Sequence, residues 1–97
     1  MITYIGLMNF TDKGIGAIKD STKRAAAAKE AAARFGVRMR EIYWTLGDCD
    51  LVGIFEADSE QDIAAFGLAI ASQGNVRART LRAFTAAEMD AILAKLP

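Results

Sequence analysis

Residues 43–57 read YWTLGDCDLVGIFEA, and this stretch decides the fold of the chain. It predicts two strands joined by a Gly-Asp-Cys-Asp turn, because Gly and Asp favour turns while aromatic and β-branched residues favour strands. In the second strand Leu51 and Phe55 lie on one face and Val52 and Ile54 on the other, so both faces are apolar. The helices of this chain can cover one face. We expect a second copy of the chain to cover the other.

The composition favours a homo-oligomer of a small one-domain chain. A chain of 97 residues is expected to form one domain, residues 1–97, and 53% of its residues are hydrophobic. A small domain has little interior in which to bury that much apolar surface, which favours a homodimer or a higher homo-oligomer. Twelve basic and twelve acidic residues cancel, so bulk charge predicts neither a nucleic-acid partner nor an anionic membrane surface.

Two further features of the composition limit the chemistry. The chain has no histidine and a single cysteine, Cys49, so we expect neither a transition-metal site nor a bound cofactor. One cysteine cannot form an intrachain disulfide, and residues 1–20 show no secretory signal pattern. No apolar stretch approaches the roughly 20 residues that span a bilayer. These observations predict a cytoplasmic protein.

The order of elements predicts an α+β, ferredoxin-like βαββαβ fold with an extra C-terminal helix. Both crossover helices lie on one face of an antiparallel sheet, so the opposite apolar face is expected to meet a partner sheet. The final helix has a periodic apolar stripe that we expect to face inward, formed by Met89, Ile92, Leu93 and Leu96. The predicted strands are 2–10, 37–46, 51–57 and 76–84, and the main helices are 21–35, 59–73 and 85–96.

Two adjacent aromatic residues are the first candidates for a ligand site. Tyr43 and Trp44 lie near a strand end and point to opposite faces of the sheet. They can form an aromatic wall for an organic ligand. The alternative, which we favour, is packing in the core and in the interface, where aromatic residues are common.

The first strand contributes a second set of candidates. Asn9 interrupts an apolar strand, so its amide can orient a ligand or bond to the neighbouring turn backbone. Gly6 and Gly53 lie within strands, where glycine packs poorly. They predict either a hollow beside the sheet or a bulge or close helix contact.

The hairpin turn carries two carboxylates around a thiol. Asp48 and Asp50 could serve in acid–base chemistry or bind a hard cation, but Asp is also a common turn residue, and we favour the turn. Cys49 has no histidine to activate it as a nucleophile, so we favour an inert thiol.

Arginines on two strands form the last candidate. Arg77 and Arg79 share one face of the last strand, and Arg38 and Arg40 share one face of the second. If the strands align them, they form a basic stripe for a carboxylate or phosphate. A solvated sheet edge is the more usual explanation.

The chain resembles the GYD-domain family of small bacterial and archaeal proteins. The family's Gly-Tyr-Asp signature lies near the hairpin, and its tyrosine position carries Cys49 here. The resemblance implies a dimeric α/β-barrel fold and no particular activity, because related barrels include monooxygenases, isomerases, haem enzymes and ligand-responsive domains. The matching stretches are Tyr4–Thr11, Ile18–Ser21, Lys23–Ala25, Tyr43–Gly47, Asp50, Gly74–Arg77 and Thr80–Phe84.

The sequence therefore favours a homodimer that binds a small organic molecule in a cleft between sheet and helices. The candidate binding residues are Asn9, Tyr43, Trp44 and Asp50. A cofactor-independent monooxygenase or isomerase is one alternative. A structural assembly unit without a ligand is another.

Overall fold

The computed structural model describes residues 1–97 and has the ferredoxin-like α+β architecture. Its four strands form one antiparallel sheet in the order β2-β3-β1-β4, which confirms the predicted fold class. A 3-10 turn at Ile18–Asp20 separates the first two helices. The strands are β1 Ile2–Phe10, β2 Val37–Trp44, β3 Leu51–Ala57 and β4 Val76–Ala83, and the helices are α1 Asp12–Gly16, α2 Ser21–Arg34, α3 Glu60–Ser72 and α4 Ala86–Leu93.

The two faces of the sheet differ as the alternation predicts. One face packs against α2 and α3 and carries the core. On the other face, which we call the open face, apolar side chains of the central strands stay partly exposed because no element of this chain covers them. The buried hydrophobic residues are Tyr4, Met8, Ala32, Val37, Met39, Leu51, Phe55, Ala57, Phe66 and Val76.

The core is organised around one aromatic ring that lies across two glycines. Gly6 and Gly53 are paired in β1 and β3, and both face the helices. A Cβ atom at Gly53 would lie 2.6 Å from the Phe55 ring, and one at Gly6 would lie 3.1 Å from it. The ring fills the space that the missing side chains leave. Its centroid lies 5.8 Å from that of Phe66, which lies 6.0 Å from that of Phe35.

Most helix ends carry residue types that favour helix caps. The Ser59 hydroxyl accepts a hydrogen bond from the Asp62 backbone N–H and caps α3. Gly36 has φ +75° directly after α2, which is the left-handed conformation that glycine supplies at a helix end. Asp20 takes the N-cap position of α2 without a side-chain hydrogen bond.

The prediction for the C-terminal helix is wrong in two respects. The apolar stripe of Met89, Ile92, Leu93 and Leu96 is exposed rather than inward, and α4 has no buried residue. The helix also ends at Leu93 rather than at Leu96. Helical periodicity shows which side of a helix needs cover, but it does not show whether the same chain supplies that cover.

We predict that Gly53→Ala lowers the free energy of unfolding by about 1–3 kcal/mol, because the new methyl group overpacks the Phe55 ring. Gly67→Ala is the control, since nothing lies within 4 Å of its Cβ position and Gly67 is inside α3. It should be neutral or stabilising by about 0.5–1 kcal/mol. Urea unfolding at one fixed protein concentration measures both. Equal stability of wild type and Gly53→Ala would contradict the packing argument.

Candidate functional site

A cleft lies between the sheet and the two long helices. Its volume is about 110 Å³, and 15 of its 22 lining residues are hydrophobic. Small residues on the helices, Ala25 and Ala28 on α2 and Gly67 on α3, leave the space open. Met8 and Phe55 form part of its floor. Cavities of about 150 Å³ hold benzene, whereas drug-sized ligands need about 300–1,000 Å³, so this cleft suits a small apolar group.

Trp44 lies at the rim of this cleft. Its indole Nε1–H donates a hydrogen bond of 2.8 Å to the Ser21 hydroxyl at the start of α2. The residue is still 43% exposed, and it pairs across the sheet with Leu51. The hydrogen bond therefore holds an amphipathic ring in one orientation with one part in contact with solvent.

Asn9 and Asp50 lie together at the end of β1, where they fasten the hairpin turn to the sheet. The Asn9 amide donates to the Asp48 carbonyl at 3.2 Å. The Asp50 carboxylate accepts from the Phe10 backbone N–H at 2.9 Å, and the Asp50 N–H donates to the Met8 carbonyl at 2.8 Å. In this geometry both polar side chains bond to backbone.

Tyr43 lies on the open face, across the sheet from the cleft. Its phenol donates a hydrogen bond of 2.9 Å to the Glu41 carboxylate, and the residue is 52% exposed. That hydrogen bond and the negative charge of Glu41 raise the pKa of Tyr43 above its ordinary value. Tyr43 and Trp44 therefore belong to two different surfaces.

The four candidate residues thus occupy three places, and only Trp44 lines the cleft. Sequence reasoning missed Ser21, which it placed only at the start of the predicted helix 21–35. It also missed Tyr4, whose buried hydroxyl has no hydrogen-bond partner. No sequence signal identifies the hydrogen bond of Ser21 or the burial of the Tyr4 hydroxyl, because both depend on contacts between elements distant in the chain.

The arginines do not form one basic stripe. Arg38 and Arg40 lie on β2 within 4.0 Å and 3.6 Å of the Glu56 carboxylate. Arg77 and Arg79 lie on β4, at the opposite edge of the sheet. The two pairs are separated by β3 and β1 and cannot hold one small anion between them.

The rim of the cleft also carries the guanidinium of Arg24, which is already hydrogen-bonded to backbone carbonyls of this chain. Arg24 donates to the Ala17 carbonyl at 2.7 Å and to the Gly14 carbonyl at 3.2 Å. Its guanidinium therefore supports the end of α1.

Three other kinds of feature bear on the chemistry of residues 1–97. No three His, Cys, Asp or Glu side chains come together in a way that could hold a metal ion. The Cys49 thiol lies in the turn, 3.7 Å from the Thr45 hydroxyl. None of the helices has the length and apolar character that crossing a membrane requires.

Comparison with known proteins gives a family and a named relative. The family model described as GYD domain matches residues 4–93. A protein of Thermus thermophilus, named glutamine synthetase and cystathionine beta-lyase binding protein, is 34% identical over 94 residues. The match covers 96% of this chain and 99% of that protein.

Solved structures share the fold. TTHA0845 from Thermus thermophilus is 27% identical, with a TM-score of 0.58 over 89% of this chain and 96% of that one. FFRP-DM1 is 22% identical, with a TM-score of 0.64 over 87% of this chain and 100% of that one. Hypothetical protein PHS023 from Pyrococcus horikoshii is also 22% identical, with a TM-score of 0.62 over 88% and 92%. At 22% identity the likeness concerns the fold alone.

Proposed function

The chain belongs to the GYD-domain family, and on that premise we propose that it is a homodimeric binding protein that docks onto other proteins. Its Thermus relative is named for binding two enzymes, glutamine synthetase and cystathionine beta-lyase. The partner class we assign here is therefore a metabolic enzyme. The single cysteine supports a reducing cytoplasm as the place of action.

The open face supports the homodimer. Four partly exposed apolar side chains of β1 and β3 lie at its centre, and Leu81 on β4 extends it with 48% exposure. A sheet face that normally meets water carries polar residues, so this pattern favours a second sheet packed on the first. The four central residues are Ile5, Leu7, Val52 and Ile54.

We predict that Ile5→Lys converts the dimer to a monomer. Ile5 pairs with Ile54 on one side and Leu81 on the other, so a lysine there would place a charge in the middle of the apolar contact. Leu68→Lys is the control, because Leu68 lies on α3 and is 72% exposed. Sedimentation equilibrium measures both masses. A wild-type monomer, or a dimer that survives Ile5→Lys, would contradict the sheet-to-sheet pairing.

One exposed corner of the molecule carries the docking proposal. The hydrogen bond between Ser21 and Trp44 joins the start of α2 to the end of β2. Ile18, one 3-10 turn before Ser21, is 41% exposed, and Leu46, two residues after Trp44, is fully exposed. We call Ile18, Trp44 and Leu46 the tryptophan corner.

The tryptophan corner has the composition of a protein-binding hot spot. Tryptophan is enriched among the residues that dominate binding energy, and a ring already held in one rotamer loses little entropy on binding. Fixing Trp44 through Ser21 therefore supports a preorganised anchor. Leu46, which is fully exposed beside Trp44, would become buried in the complex, and that burial would favour binding.

We predict that Leu46→Asp weakens binding to a partner enzyme at least about tenfold, because a carboxylate would replace an apolar contact. The probes are the glutamine synthetase and the cystathionine beta-lyase of the organism that makes this protein. Calorimetry with each purified enzyme measures the dissociation constant.

Leu68→Asp is the matched control, since it introduces the same charge at another exposed leucine on α3. It should leave the affinity within about twofold if the tryptophan corner makes the contact. Failure of the wild-type protein to bind either enzyme would refute the assigned partner class. Equal losses in both variants would refute the tryptophan corner.

A second candidate function is binding of a small organic molecule in the cleft. The observation that favours it is the apolar lining of the 110 Å³ cavity, with Trp44 at its rim. The size and lining fit a single aromatic ring. Asn9 and Asp50 would then act by holding the adjacent hairpin, and Tyr43, on the open face, would not contact the ligand.

We predict that the wild-type protein binds benzene, a single aromatic ring, and that Ala25→Leu abolishes this binding by filling the cleft. Ala27→Leu is the control, because Ala27 lies on the exposed side of α2. Chemical shifts of Gly67 and Ala28 report occupancy, and native mass spectrometry of freshly purified protein reports any retained molecule. Benzene binding that Ala25→Leu leaves unchanged would place the ligand elsewhere.

A further inference from the structure

The C-terminal helix presents an apolar stripe that its own chain does not cover. Met89, Ile92 and Leu93 follow the spacing i, i+3, i+4, which places them within a sector of about 100° on one side of the helix, and Leu96 follows three residues after the helix ends. Their exposed fractions range from 36% at Ile92 to 64% at Leu96. We call these four residues the α4 stripe.

Polar contacts alone fix the start of this helix. Thr85 and Glu88 form a reciprocal capping box, in which each side chain accepts a hydrogen bond from the other residue's backbone N–H. Arg82 Nη2 lies 3.4 Å from Glu88 Oε2. These contacts set the direction in which α4 leaves the sheet. They bury none of its residues.

A helix of this length needs packing to persist in water. Isolated helices shorter than about 12–15 residues are marginal, and α4 has 8 residues. Its apolar side is therefore expected to contact something outside the chain. The remaining question is which molecule supplies the contact.

We propose that α4 is a strap that packs on the second copy of this chain and completes the homodimer interface. The inference rests on the proposed homodimer. Four strands about 4.8 Å apart, each with about eight residues, give the open face a footprint of roughly 500 Å². A stable interface buries about 800 Å² of accessible surface on each partner, so further apolar surface beside the open face would strengthen the pairing.

The α4 stripe supplies further apolar area close in sequence to the open face. A Leu, Ile or Met side chain that becomes fully buried removes roughly 60–120 Å² of apolar surface from water. Four half-exposed side chains therefore add on the order of 200 Å². The strand that precedes α4 carries Leu81 on the open face, and two residues separate Ala83 from Ala86. The stripe is thus continuous along the chain with the proposed sheet interface.

The test compares two double variants of the full-length protein. Ile92→Ser with Leu93→Ser removes the centre of the stripe. Ala91→Ser with Ala94→Ser makes the same number of serine substitutions on the other side of the helix. We expect the stripe variant to raise the dimer dissociation constant at least about tenfold and the control to change it less than about threefold. Sedimentation equilibrium measures all three proteins.

A second measurement detects the contact itself. In dimers mixed from labelled and unlabelled copies, isotope-filtered NMR should show contacts from the Met89 methyl group to the second copy. A wild-type monomer would overturn the homodimer and the strap together. A stable dimer in which Met89 shows no intermolecular contact would overturn the strap alone, and so would a stripe variant that dimerises as tightly as its control.

Discussion

The packing of the Phe55 ring across Gly6 and Gly53 is the contact on which the rest of the structure depends. The neighbouring strands β1 and β3 both carry glycine at one paired position. The ring of Phe55 fills the space that the missing side chains leave. The ring then meets Phe66 of α3 at 5.8 Å. Because side chains in cores pack at crystal-like density, this arrangement sets how closely the helix layer approaches the sheet. The cleft, its floor and the position of its rim all follow from that distance.

Polar side chains in this protein mainly fix connections between elements. Asp50 and Asn9 tie the hairpin turn to β1, Ser21 ties α2 to Trp44, and Glu88 fixes the start of α4. The backbone N–H of Thr85 donates to the Glu88 carboxylate, and this lowers the pKa of Glu88 despite partial desolvation. That hydrogen bond therefore favours the folded state above the ordinary pKa of a glutamate and weakens as pH falls through the lowered value. With these groups engaged in structure, the exposed apolar surfaces remain as the parts free to recognise another molecule.

The sequence was sufficient for the fold and insufficient for the site. Alternation in Leu51–Phe55 predicts the two apolar sheet faces, and the order of elements predicts the sheet topology, because both depend on local patterns. The partners of Asn9 and Asp50 are backbone groups about 40 residues away, so no local pattern specifies them. The two mid-strand glycines left a hollow, a bulge and a close helix contact open, and the structure instead fills the space beside them with the Phe55 ring of β3 itself. The inward orientation expected for Leu93 failed for a related reason, since periodicity carries no information about which chain provides cover.

The single chain has a small core and much exposed apolar surface, so burial on assembly would add to its folding stability. Ten hydrophobic residues form the core, and none of the large ones has less than 2% exposure. Leu46, Leu81 and Phe84 are among the large hydrophobic side chains that remain exposed. A small core supplies little net stability, because conformational entropy offsets most of what burial contributes. In the proposed homodimer the open face and the α4 stripe add burial to this core, so folding stability depends on protein concentration. In the proposed arrangement one apolar face serves the second copy of the chain, and the tryptophan corner, on a separate edge, serves a different partner.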